Sequence, residues 1–254
     1  MLPCSLAPLL PSSIPPLFHC LGGEWDNGLV MLWVGQFSIV EGEAREESPW
    51  IGVFPETGRV EPEESSDLFV VVEPAHEGSE EYCRDLSQVI GKQFRERRLS
   101  LTGGILRALK AAHESLRDWN RRSLKQHRVA AGVSCLALRG GAPTWSAYLG
   151  QVAPAAAAVL HGDSLERLEP RLPDAVQPLG LHEEFWPDFS RHELQEGDRL
   201  ILLSRELAAA LSDEELTEAL QQLPEETLPR LYLKARGMPH CAALLVAALP
   251  ETPA

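Results

Sequence analysis

The chain is poor in the residues that mark several common functions. Of its 254 residues only 23 are Lys or Arg against 37 Asp or Glu, a formal charge of −14. Phosphate groups reward clustered basic side chains, so nucleic acid and anionic membrane are excluded as default partners. The one basic stretch, Arg95 to Arg98, is too short to change this. Cysteine is scarce and scattered: Cys4, Cys20, Cys83, Cys135 and Cys241 are odd in number and lack CxxC spacing. Neither a disulfide framework nor a zinc knuckle is indicated, and reduced thiols in a cytoplasmic protein are expected. No uninterrupted apolar run reaches bilayer length. The N-terminal "MLPCSLAPLLPSSIPPLF" is apolar, but it has no basic leader and is broken by five prolines, so a secretory signal is not expected. GxxxxGK[ST], GxSxG, HExxH and dinucleotide GxGxxG are also missing, which removes the usual nucleotide, hydrolase and zinc-protease signatures.

What is present suits one sizeable globular domain, with 44% apolar residues available for a core. Residues 1–28 read as a proline-rich arm and 29–254 as the domain. "LVMLWVGQFSIV", from Leu29 to Val40, suits one or two strands around Gly35, and "WIGVF" and "DLFVVVE" suit further strands either side of a Pro/Gly/Ser-rich loop. Helical spacing follows over 79–98, with Tyr82, Leu86, Val89 or Ile90, and Phe94, and over 102–122, with Ile105, Leu109, Ala112, Leu116 and Trp119. Each helix is expected to lay this stripe, aromatics included, on a sheet. "VAAGVSCLALRG" and "PTWSAYLGQVAPAAAAVL" read as an antiparallel meander, and "PLGLHEEFWPDFSRHELQEGD" as a long loop. In "GDRLILLSRELAAALSDEEL" an apolar strand empties into Ser204, Arg205 and Glu206, and Ser212 with Glu215 forms a capping box for a helix. A second short helix carries Pro229, and "CAALLVAAL" closes the chain as a buried strand. Strands, two helices and strands again give an α+β fold: a sandwich of two antiparallel sheets flanked by helices, in αββα layers.

Four segments, in order, resemble the metal-dependent serine/threonine phosphatases of type 2C, the PPM family, over about residues 30–248. "DLFVVVEPAHEG" stands where that family has "lfxVxDGxGG", and "AAGVSCLAL" stands for "aGtTaxxal". "GDRLILLSRELAAALSDEEL" is similar to "pGDxLLLxSDGLxxxLsdeEI", and "ARGMPHCAALLVAAL" to the closing "DNxTvvvv". The resemblance implies aspartates at one end of the sandwich, holding two Mn²⁺ or Mg²⁺ ions that activate a water. Position by position, this sequence departs from it. The first ligand position falls on Trp50, the second Asp-Gly becomes Glu73-Pro74, the third becomes Arg205-Glu206, and the closing Asp-Asn becomes Pro239-His240. Four aspartates would carry −4, whereas Trp50, Glu73, Arg205 and Pro239 sum to about zero, so two dications are left without offsetting charge.

The expectation is therefore a phosphatase-like domain without its metals, a pseudophosphatase. It would act as a protein-binding or regulatory module in serine/threonine phosphorylation signalling, with no cofactor and with a kinase or phosphoprotein as partner. Two alternatives stand beside it: a weak metal-dependent phosphatase using Glu73, Asp198 or other acids, with Mn²⁺ or Mg²⁺ as cofactor, and a structural scaffold subunit. Within the site, Glu73 and Arg205 are expected to pair and fill the metals' place. Arg45 matches an arginine that grips substrate phosphate in some family members, against the competing reading of an exposed arginine among Glu41, Glu43, Glu46 and Glu47. His76, His240, Cys241 and Glu73 are residue types that hold one zinc, if they converge. "HGDS" at 161–164 reads as a polar hairpin, the family's own turn matching "LGQVAP" at Gly150 better.

Overall fold

The computed structural model describes residues 30–45, 48–56, 66–96, 100–141, 144–170 and 177–250. The proline-rich arm, most of the loop after "WIGVF", residues 46–47 and the end of the basic stretch lie outside the described residues. Two antiparallel sheets stack face to face. One contains β1 (Val30–Val40), β2 (Glu43–Arg45), β7 (Ala156–His161), β8 (Ser164–Leu168), β10 (Arg199–Leu203) and β11 (His240–Pro250), in the order β2-β1-β11-β10-β7-β8. The other contains β3 (Ile51–Phe54), β4 (Ser66–Pro74), β5 (Ala131–Gly141), β6 (Thr144–Val152) and β9 (Asp188–Leu194), in the order β3-β4-β5-β6-β9.

Helices cover both outer faces. On the five-stranded sheet lie α1 (Glu80–Arg95) and α2 (Leu101–Arg122), which turn Leu86, Ile90, Phe94, Ile105, Leu109 and Ala112 inward. The Ser100 hydroxyl caps α2 by accepting from the Gly103 N–H at 3.2 Å. On the six-stranded sheet lie α4 (Asp213–Leu220) and α5 (Pro224–Ala235), with short α3 (Arg205–Ala209) leading from β10. The capping box is complete: Ser212 Oγ accepts from the Glu215 N–H, and the Glu215 carboxylate accepts from the Ser212 N–H. Pro229 sits inside α5.

β10 and β11 are buried on both faces. Leu200, Leu202, Leu244 and Val246 face the space between the sheets, and Ile201, Leu203, Ala243 and Leu245 face the helical layer of α4 and α5. This is why both read as unbroken apolar runs rather than alternating ones.

Three expectations need correction. The meander is interrupted, because β5 and β6 pair in one sheet while β7 crosses to the other, beside β10. The "long loop" contains β9, whose exposed residues Arg191 and Glu193 conceal its pairing with β6. Trp119 is 45% exposed and packs on Tyr82, with ring centroids 4.9 Å apart, instead of facing the sheet.

Candidate functional site

At one end of the sandwich a cavity of about 370 Å³ is lined by Trp50, Glu73, Pro74, Arg205, Glu206 and His240. Each element delivers its residue for a local reason. β4 ends in Glu73-Pro74, where proline closes the strand. β10 stops at Ser204, whose N–H donates to Ala242 O at 2.9 Å and whose hydroxyl accepts from the Ala242 N–H at 3.3 Å, so Arg205 opens α3 at the rim. β11 begins at His240, paired with Val40. The Trp50 carbonyl accepts from the Val72 N–H at 2.8 Å, which fixes the turn before β3 against β4.

Trp50 is 1% exposed; its indole N–H donates to Glu80 O at 3.4 Å and its ring lies 5.3 Å from the His240 ring. Nδ1 of His240 accepts from the Glu41 N–H at 3.3 Å, which assigns the ring proton to Nε2. Glu73 is buried. Its Oε2 accepts from the Arg205 main-chain N–H at 2.7 Å, while Oε1 has no protein partner. Burial pushes this carboxyl up to about 8, against the Arg205 amide and guanidinium, which pull it down, and with Glu206, which adds to the rise. Burial thus favours the neutral form of the acid. The expected Glu73–Arg205 contact exists, but through the Arg205 backbone and not its guanidinium, because the carboxyl meets α3 at its first N–H.

Of the eight positions singled out in the sequence, the six lining residues come together. Pro239 is exposed beside them, its carbonyl accepting from the Gly42 N–H at 2.8 Å. Arg45 does not line the cavity; it is exposed on β2 and pairs with Glu43 at 3.1 Å. Asp198 is at the other end of β10, hydrogen-bonded to the Gln195 N–H and His161, so it cannot share a site with Glu73. "HGDS" is a two-residue hairpin between β7 and β8, with Gly162 at φ 57°, and it lies at that same far end. Among the described residues no group of three or more His, Cys, Asp or Glu is placed to hold a metal ion, so His76, His240, Cys241 and Glu73 do not form the zinc cluster considered above. Cys241 is buried, which pushes its thiol up to about 12.

Sequence reasoning passed over Pro154, another wall of the cavity. The signal was the proline ending "LGQVAP". Its neighbour Gly132, on β5 opposite Glu73, has no room for a side chain: a Cβ there would stand 1.6 Å from the Pro154 carbonyl oxygen.

No protein-family model and no curated relative matches the chain. Solved structures do. The S. agalactiae serine/threonine phosphatase superposes with a TM-score of 0.68 at 15% identity, over 85% of this chain and 99% of that one. PppA, a key regulatory component of T6SS in Pseudomonas aeruginosa, gives 0.64 at 19% identity, over 86% and 98%. The catalytic domain of the serine threonine protein phosphatase PstP, in complex with two manganese ions, gives 0.60 at 18% identity, over 87% and 100%. Two antiparallel sheets flanked by helices, in this order and over nearly the whole of each neighbour, give the chain the fold of the type 2C serine/threonine phosphatases.

Proposed function

We propose that this chain is a phosphatase-fold protein without a catalytic metal centre, working as a protein-binding or regulatory module in serine/threonine phosphorylation signalling. The observation that carries the reading is the 2.7 Å hydrogen bond from the Arg205 amide to Glu73 Oε2. Glu73 is the one carboxylate left at the four ligand positions, and one of its two oxygens is already engaged by a protein N–H. The PstP neighbour binds two manganese ions. Here the donors do not fit such a pair. Hard dications require several anionic oxygens, whereas Trp50 and Pro239 offer no side-chain oxygen and Arg205 brings a cation. The hydrogen bond also ties the end of β4 to the start of α3, which leads from β10 of the other sheet. The partner on this reading is a protein, a kinase or phosphoprotein, and the neighbour PppA is itself a regulatory component.

The test is calorimetric titration with Mn²⁺ and Mg²⁺ together with release of phosphate from a chromogenic phosphate ester, with and without metal. No metal binding and no metal-dependent turnover are expected. Turnover that requires Mn²⁺ would overturn the reading.

A further inference from the structure

The cavity that the fold presents is not left inert by these replacements. Arg205 stands at its rim with an exposed side chain, and its guanidinium has no ion pair or hydrogen bond among the described residues. Glu73 is turned to the Arg205 main chain and leaves the guanidinium unengaged. His240 lines the same cavity with its Nε2–H as donor, because Nδ1 already accepts from Glu41. Trp50, Pro74 and Pro154 add apolar surface to a wall that Glu73, Ser204 and Glu206 also line. A cavity of about 370 Å³ suits a small organic group rather than a bare ion.

From this geometry we propose that the cavity binds a carboxylate joined to an apolar body, with the carboxylate on the Arg205 guanidinium and the His240 Nε2–H and the body against Trp50 and the two prolines. The inference rests on the cavity being free of metal, as proposed above. A planar guanidinium and a carboxylate match in shape and form paired charge-assisted hydrogen bonds. Charge selects the monoanion. Arg205 and Glu206 on the same wall leave no net positive charge, so a phosphate monoester, which brings close to two negative charges at pH 7, is repelled more strongly than a carboxylate with one.

The probe is benzoate, titrated by calorimetry into the full chain, with benzamide as neutral isostere and phenyl phosphate as dianion. Benzoate is expected to bind more tightly than either. Arg205→Gln, an exposed substitution checked for folding by its thermal melt, should weaken benzoate at least tenfold, and Glu206→Gln should tighten it about twofold to threefold by removing a like charge. N-acetylglycylphenylalanine and its C-terminal amide identify the source. A free dipeptide acid that outbinds benzoate assigns the ligand to a protein C-terminus; the reverse assigns it to a free small acid. Equal affinity for benzoate and benzamide, preference for phenyl phosphate, or an Arg205→Gln variant that binds benzoate unchanged would each overturn the proposal. A parallel Mn²⁺ titration separates the two readings, since bound Mn²⁺ refutes the metal-free cavity, while silence from Mn²⁺ and benzoate alike refutes only the carboxylate site.

Discussion

The Arg205 amide lies 2.7 Å from Glu73 Oε2, so one hydrogen bond joins the end of β4 in one sheet to the helix that follows β10 of the other, across positions 132 apart in the chain. The acid that makes it is buried and leaves its other oxygen unsatisfied, an arrangement tolerable for a neutral carboxyl and costly for a carboxylate.

Stability should therefore depend on pH through Glu73. Below its ordinary value of 4.5 both the folded and unfolded chains hold the proton; between 4.5 and about 8 only the folded chain does. The unfolded state then binds fewer protons, so this group's contribution falls as pH rises through that window and levels off above it. Glu73→Gln keeps an acceptor for the Arg205 N–H and removes the titration. Relative to the parent, the variant should gain stability from pH 5 to pH 9, by a total on the order of 4 kcal/mol, read by chemical denaturation at several pH values. A constant difference across that range would contradict the assignment.

Restoring one acid should not restore a metal site. Arg205→Asp is expected to leave Mn²⁺ binding and phosphate-ester hydrolysis at background, because Trp50 is still buried where an oxygen is needed and Pro239 supplies no side-chain ligand. Measurable Mn²⁺-dependent turnover from this single change would show that fewer carboxylates suffice.

Gly132→Ala should damage the cavity from behind. Its methyl would stand 1.6 Å from the Pro154 carbonyl oxygen, a main-chain atom, so the turn that forms one wall must move. A loss of about 3 kcal/mol or more is expected from such overpacking, visible as a lower denaturation midpoint. Gly162→Ala, at a hairpin tip with open space but φ 57°, should cost only about 1 kcal/mol.

Ser212→Ala removes half of the capping box at the start of α4 and should cost about 1 kcal/mol. Glu215→Gln, which retains an acceptor for the Ser212 N–H, should cost less, and thermal melts of the two variants would rank them.

The layers and most elements were legible because apolar periodicity is strong where a strand or helix has one buried face: the stripes of α1 and α2 are the clearest case. The capping box was legible because it is local chemistry. What escaped has a physical pattern. β9 exposes polar residues at an edge, so its strand character lies in backbone pairing with β6 and not in its side chains. The departure of β7 to the second sheet is decided by long-range pairing with β10, for which the sequence between β6 and β7 carries only a proline. At the cavity, an alignment of short motifs placed Trp50, Glu73, Arg205 and His240 together, since strand ends in a known topology converge whatever their chemistry. It did not reveal that Glu73 would meet the Arg205 backbone, because that depends on the angle at which α3 leaves β10.

The double burial of β10 has a further consequence. An alternating strand resists sliding because a slip of one residue would turn its oily side to water. Leu200 to Leu203 offer no such resistance, since both faces accept the same kind of side chain. The strand must instead be held at its ends, like a rope between two pegs. Asp198 is one: its carbonyl accepts from the Ala248 N–H at 3.0 Å, and its carboxylate accepts from the Gln195 N–H. Ser204, bonded twice to Ala242, is the other. The position of Arg205 at the cavity rim is thus set by polar residues lying just outside the greasy run, and a change at Asp198, about 20 Å along the chain, would loosen the residue on which ligand recognition depends.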